Sequence, residues 1–316
     1  MTLQYNFINP KTPKYNKGLL VIDSDDGNVG DYNYWFPITS RISRERSQWI
    51  GDDVVVICPS VNTATIGTTG KMSVEQLKEL VSRGWEITAH GRHHYGLGEL
   101  RLASPVESGA TQLEIEGAGQ IRVEGGASFR IFEEDKEDIF VPLSPPTVSN
   151  TYSVVTMDID RPLTNSYTTN ARIQLTDSSA EEVLRGCVDD LVSWGIECHH
   201  YVYTYHSGSQ HMFSQKAIDW VREYFVSGRG TVSLSINQKD TIQLHNLKSM
   251  SMGNTYTQID NALDETANTG GLFIFYGHGE TSKVITDKLE YLINGALDRG
   301  IRITTRTKAL KLMGLM

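Results

Sequence analysis

Three short clusters of acids and histidines stand directly after apolar runs in this chain. The first, VIDSDDGN, brings Asp23, Asp25 and Asp26 ahead of Gly27. The second, EITAHGRHHYGL, spaces His90 and His94 as H-x-x-x-H, and the third, FIFYGHGE, carries His278. A carboxylate with two neutral imidazoles is the minimal set for a catalytic Zn²⁺ that keeps a position open for water. Bound zinc lowers the pKa of that water to about 7. A second carboxylate alongside can then serve as general base, and a further His can protonate a leaving group. Each cluster alone has a plainer reading. Asp-Asp-Gly after a strand is usually a turn, H-x-x-x-H can be one helix face or a surface pair, and a lone His is more often a hydrogen-bonded rim residue. Their coincidence at three strand ends favours the chemical reading.

The elements that must position these residues alternate. Strands are expected in GLLVID (18–23), DVVVIC (53–58), WEITAH (85–90), HHYVYTY (199–205), TVSLSI (231–236) and GLFIFYGH (271–278). Each is a compact apolar run suited to a strand buried on both faces. Between them, MSVEQLKELVSRG predicts a helix with Ser73 and Gln76 as a capping box and Gly84 as its stop. SSAEEVLRGCVDDLVSWG repeats the pattern, with Ser178 three before Glu181 and Gly195 at the end. SQKAIDWVREYF and TDKLEYLINGALDRG, ending at Gly300, supply two more helices. Such alternation predicts a parallel sheet covered by helices, in which the strand C-termini form the active-site face.

From 101 to 176 the pattern changes to period-2 segments, QLEIEG, QIRVEG, SFRIF, DIFVPL and YSVVTMDI, separated by Gly, Ser and Pro. The expected organisation is therefore a distorted (β/α) barrel from 1–100 and 177–316, with a small antiparallel β-domain inserted at 101–176. The acids from Glu133 to Asp138 read as a solvated hairpin. His199 and His200, adjacent on a strand, point to opposite faces and cannot share one metal.

The 316 residues are 39% hydrophobic and 21% charged, enough apolar material for a large core. A net charge of -9 argues against nucleic acid and anionic membranes as partners, since both call for excess Lys and Arg. Cys58, Cys187 and Cys198 are too few and too scattered for a disulfide framework or a metal knuckle, and read as free thiols. No apolar run has the length of a signal-peptide core or a membrane span.

These motifs resemble those of the polysaccharide deacetylases, the fourth family of carbohydrate esterases. The resemblance lies in LLVIDSDDGN, in GWEITAHGRHHYGL with the helix before it, and in GLFIFYGH, and covers roughly 18–100 and 177–305. It implies that Asp26, His90 and His94 bind the metal, by default Zn²⁺, with Co²⁺ or Ni²⁺ also suited to such ligands. It implies that Asp25 is the base and His278 the acid, with an oxyanion donor near Tyr205, and His206 within reach of substrate. The implied reaction removes N- or O-acetyl groups from a cell-wall or capsule glycan outside the cytoplasm. A glycan-binding barrel without catalysis and a structural component of a phage particle, either of them free to form homo-oligomers, are the alternatives. The chain departs from the family in three places. YTYHSG (203–208) lacks the Arg that fixes the catalytic Asp, for which Arg92 is the candidate. NQKDTIQLHN offers Asp240 and His245, without a clean match, as the polarising group for the acid. Gly91 stands where Ser or Thr is common.

Overall fold

A computed structural model describes residues 17–50, 53–116, 126–143, 154–205, 214–230 and 235–316. The first strand, β1 (Leu19–Ser24), alternates strictly between two surroundings. Leu20 and Ile22 join the main core beneath the helices, whereas Val21 packs with Leu272, Ile274 and Leu310 in a second cluster. Asp23 and Asp25 continue the Val21 side, as the two-residue period of a strand requires. Helices α1 (Phe36–Glu45) and α2 (Ser47–Ile50) lead to β2 (Cys58–Val61), and α3 (Val74–Ser82) leads to β3 (Thr88–Ala89).

Next comes an antiparallel sheet of six strands: β4 (Leu100–Leu102), β5 (Gln112–Glu116), β6 (Phe129–Glu133), β7 (Lys136–Phe140), β8 (Val154–Asp158) and β9 (Arg172–Leu175). The spatial order is β7-β6-β9-β4-β5-β8. Its outer edges meet where Pro142 pairs with Ile159, flanked by Leu143 N–H to Asp158 O at 3.0 Å and Asp160 N–H to Val141 O at 3.0 Å. Its apolar side (Leu113, Ile115, Ile131, Phe140, Ile173) belongs to the same core cluster as Leu20 and Ile22.

The parallel part resumes with α4 (Asp177–Ser193), β10 (His200–Val202), α5 (Gln215–Tyr224), β11 (Ser227–Arg229), β12 (Met250–Ser251), α6 (Tyr256–Thr269), β13 (Leu272–Gly277), α7 (Lys283–Asp298), β14 (Arg302–Ile303) and α8 (Arg306–Leu312). Its order is β11-β10-β3-β2-β1-β13-β12, with β14 beside the start of β1. Leu247 exchanges backbone hydrogen bonds with Gly228 and Gly230 (2.8 and 3.0 Å), and three residues later β12 pairs with β13. Segment 247–251 thus joins the two edges of the curled sheet. The fold is α/β, a distorted parallel barrel with an additional antiparallel sheet.

Several expected boundaries move, each for a physical reason. The run 53–57 is buried at Val55, Val56 and Ile57 but forms no strand. The edge of β1 at Leu19 and Leu20 is taken by β14, so β2 pairs only with Asp23 and Ser24 and begins at Cys58. Of TVSLSI, 231–234 lie outside the described residues, and 235–236 are not strand; the strand here is β11, at 227–229. QIRVEG also lies outside them. The inserted sheet begins at Leu100 and uses RIQL as its β9, central in the order although no turn-bounded alternation announces it. Ser73 and Gln76 form the expected capping box. Helix α4, however, is capped by Thr176, whose hydroxyl accepts from Ser179 N, and not by Ser178. The start comes earlier because Asp177 already adopts helical geometry and Thr176 keeps the extended backbone of a cap (φ -68°, ψ 160°).

Candidate active site

The acid and histidine clusters converge at the C-terminal ends of β1, β3, β11 and β13. Just past β1 the chain turns through Asp25–Gly27, where Asp26 takes a left-handed backbone (φ 76°), a conformation sparsely populated by non-glycine residues. This turn presents Asp25 inward, 3% exposed, and Asp26 toward two imidazoles. Asp26 Oδ1 lies 3.4 Å from His90 Nε2 and 3.2 Å from His94 Nε2, and the three ligand atoms lie within 4.8 Å of one another.

Protonation makes this triad fit a cation. His90 Nδ1 lies 2.8 Å from Val202 O, an acceptor only, so Nδ1 carries the proton and Nε2 faces Asp26 with a lone pair. Asp26 Oδ1 is buried and meets no donor in hydrogen-bonding geometry. Converging acceptors of this kind repel unless a positive charge sits among them. A divalent metal would supply it, and one carboxylate with two imidazoles is a set that zinc accepts. Burial opposes ionisation of Asp26, and a positive charge among these ligands, on the imidazoles or on a cation, holds its carboxyl well below the usual range. The strand end also carries Asn62, whose amide donates to His90 O at 2.6 Å.

Asp25 is gripped by Arg229, the last residue of β11, which is completely buried. Arg229 Nη2 donates to Asp25 Oδ1, its Nε pairs with Asp23 Oδ2 at 2.8 Å, and its guanidinium stacks 4.6 Å from the centre of the Tyr276 ring. Burial pushes the Asp25 carboxyl up, yet the Arg229 guanidinium first, with positive charge at the neighbouring histidine sites, outweighs it and holds Asp25 below its ordinary value. Asp23 is shared with Arg306 of α8, which also donates to Tyr201 O at 3.2 Å. Arg92 does not perform this role. It pairs with Glu182 and, at 3.1 Å, with Asp190, both on α4, because its backbone N–H is tied to Val183 O and its side chain lies along that helix. Nothing in SGRG distinguishes Arg229 by hydrophobic pattern; the available signal is an arginine among small residues at a strand end.

On the opposite side His278 follows β13 with its side chain half-exposed. Its Nδ1 lies 3.4 Å from Glu280 Oε1, and its backbone N–H donates to Glu280 Oε2 at 2.8 Å. Glu280 raises the His278 pKa above its ordinary value, burial opposes this, and Asp25 and Asp26 add to the rise. Glu280 is therefore the carboxyl that stands against His278, the place for which Asp240 and His245 were the candidates. Asp240 is exposed in a turn, and His245 Nε2 lies 2.9 Å from Phe225 O. Glu280 stands two residues beyond His278 in YGHGE, a spacing that could have marked it.

Asp31 lies behind this loop, wholly buried, with neither carboxyl oxygen meeting a donor in hydrogen-bonding geometry. Burial pushes it up to about 8, with the charges of Glu280 and Asp25 adding to the rise. This shift favours the protonated acid at neutral pH, and the sequence reading does not single Asp31 out. Gly91 also has a structural reason. Its φ is +90°, and a Cβ there would lie 2.8 Å from His93 O and 2.9 Å from Val183 Cγ1, so the Ser or Thr of the resembled motif does not fit.

Tyr205, with φ 54°, places its ring 4.4 Å from that of His94, edge to face. His206 lies outside the described residues. Trp35, Tyr95 and Tyr203 are packed in the core, whereas Tyr34 is exposed. Cys58, Cys187 and Cys198 are free thiols.

No family model matches this chain, and no curated protein sequence does. Among solved structures, the polysaccharide deacetylase BC0361 from Bacillus cereus aligns over 77% of this chain with 12% identity and a TM-score of 0.41. This chain spans 50% of the length of that protein. The Xyl-CE4 domain of a multidomain xylanase, from the hindgut metagenome of Trinervitermes trinervoides, aligns over 95% of this chain and 92% of its own, with 9% identity and a TM-score of 0.47. BA3943, a CE4 family pseudoenzyme from Bacillus anthracis, aligns over 96% and 70%, with 8% identity and a TM-score of 0.46. The chain is similar to polysaccharide deacetylases. Among the described residues, no helix is long and apolar enough to cross a membrane.

Proposed function

We propose that this chain is a metal-dependent hydrolase that removes acetyl groups from a polysaccharide. The observation that carries the reading is one strand-end face holding three convergent acceptors (Asp26, His90, His94), a carboxylate kept ionised by Arg229 and an imidazole kept protonatable by Glu280. Bound to the triad, Zn²⁺, or Co²⁺ or Ni²⁺ in its place, would supply Lewis acidity and make water nucleophilic near neutral pH. Asp25, anchored through one oxygen to Arg229, keeps its other oxygen for the proton of the attacking water. His278 delivers a proton to the departing sugar nitrogen or oxygen as the bond to the acetyl carbon breaks. Free acetate and the deacetylated sugar are the products. Glu280 holds the imidazole in orientation and stabilises its cation. The turn at Tyr205, beside His94, would offer a backbone N–H to the developing oxyanion.

A barrel that only binds glycan drew its support from a missing arginine, and Arg229 removes that ground. The substrate on this reading is an acetylated cell-wall or capsule glycan met outside the cytoplasm. The test is acetate release from acetylated glycans and aryl acetates, before and after chelation and zinc restoration, with Asp25→Asn and His278→Ala in parallel. Release that is lost on chelation, restored by zinc and absent in Asp25→Asn is expected. Zinc bound at the triad with no release across the panel would overturn catalysis and leave glycan binding.

A further inference from the structure

The Asn28 side chain ties the loop that carries His278 to the Asp25–Asp26 turn. Its Nδ2 donates to His278 O at 2.8 Å and lies 3.4 Å from Asp25 O, joining the two loops directly. Its Oδ1 accepts from Lys71 Nζ at 2.8 Å, and the same ammonium donates to Asp26 O at 2.9 Å. These neighbours leave one orientation for the amide. An ammonium can only donate and a carbonyl can only accept, so Oδ1 must face Lys71 and Nδ2 must face His278.

The β1–β13 ladder ends at the pair Ser24 and Gly277, one residue short of Asp25 and His278, and beyond that point the Asn28 amide links the turn to the loop. Trp35 Nε1 donates to Glu280 O at 3.1 Å, and a Cβ on Gly30 would meet Gly279 O at 1.8 Å, so the loop lies flush against the chain after β1. Those contacts fix its far side, at 279–280. The Asn28 amide reaches the carbonyl of His278 itself. Lys71 arrives on a strand-like pairing of 28 with 71, flanked by Val29 N–H to Gly70 O at 2.9 Å and Met72 N–H to Gly27 O at 3.0 Å. The segment before α3 is thereby built into the site.

We propose that Asn28, oriented by Lys71, is a positioning residue that sets the general acid His278 relative to the Asp25–Asp26 turn. This rests on the deacetylase reading. Asn28→Asp is the sharp variant: it keeps size and the Lys71 contact but turns the donor facing His278 O into an acceptor. Misplacement of a reacting group by about 1 Å costs roughly 100-fold in rate. Asn28→Asp is therefore expected to lower kcat by about 10- to 100-fold, with KM and calorimetric zinc affinity as in the parent. Lys71→Met, which frees the amide to turn, should lower kcat in the same sense. The imidazole NMR signals of His278 should move in both variants. Unchanged kcat in both, or a loss matched by weakened zinc binding, would overturn the proposal. Should the parent release no acetate from any substrate, the deacetylase reading fails by itself. The clamp would then stand if the His278 signals move in the variants and fall if they do not.

Discussion

Asp31→Asn should make this protein more stable, and increasingly so as pH rises. Asp31 is completely buried, and burial pushes its carboxyl from 3.8 to about 8. A carboxyl whose folded pKa is raised favours the folded state fully below its unfolded value and loses that contribution as pH climbs through the folded one. Each pH unit in that window costs roughly 1.4 kcal/mol, so the loss reaches about 4 kcal/mol near neutral pH, as an upper bound. Asparagine copies the shape of the protonated acid and has nothing to ionise. The stability difference between variant and parent should be near its minimum around pH 4 and grow by roughly 1.4 kcal/mol per unit up to about pH 8. Urea unfolding of both proteins in chelator, at a series of pH values across this window, measures it directly. Parallel stability curves would show that Asp31 ionises as readily folded as unfolded and would refute the reasoning. So would an Asp31→Asn protein that weakens relative to its parent as pH rises.

Glu280→Gln removes the largest influence raising the His278 pKa, so the alkaline limb of kcat/KM should move to lower pH; a limb that stays in place would remove Glu280 from the acid's control. Gly91→Ser places a Cβ against His93 O and Val183 at a left-handed φ and should cost on the order of 1–3 kcal/mol, read as a lower urea midpoint. Arg306→Met leaves Asp23 with one guanidinium in place of two and should destabilise by roughly 3–5 kcal/mol, the cost of breaking a buried ion pair. Adding Asp23→Asn to that variant should recover part of the loss, whereas strict additivity would show that the two residues act independently.

What could be seen in the sequence, and what could not, divides by where the determining contacts lie. Asp25, Asp26, His90, His94 and His278 were legible because each follows an apolar strand at the face where a parallel sheet leaves its strand ends open. Helix α3 was legible because its cap, Ser73 with Gln76, is local. The errors fall where long-range pairing overrides local pattern. Val55, Val56 and Ile57 have the composition of a strand, yet β14, some 250 residues later, already occupies the adjoining edge of β1. Conversely Ser-Gly-Arg has almost no strand character and becomes β11 because it pairs in parallel with His200–Val202 of β10, with Leu247 bonded to Gly228 and Gly230 on its other side. A Cβ on Gly228 would lie 2.7 Å from the Tyr203 ring, so the residue that weakens the local signal is the one the packing needs.

The same reasoning explains why the partner of Asp25 was invisible. Two arginines and two aspartates, from β1, its following turn, β11 and α8, meet in the barrel interior. Arg306 from the chain's final helix shares Asp23 with Arg229, which leaves a guanidinium nitrogen of Arg229 for Asp25. A carboxylate in so dry a place would otherwise take up a proton. The ionised state of Asp25 thus depends on residues 204 and 281 positions away. No window of local sequence contains that relation; it exists only once the sheet has curled.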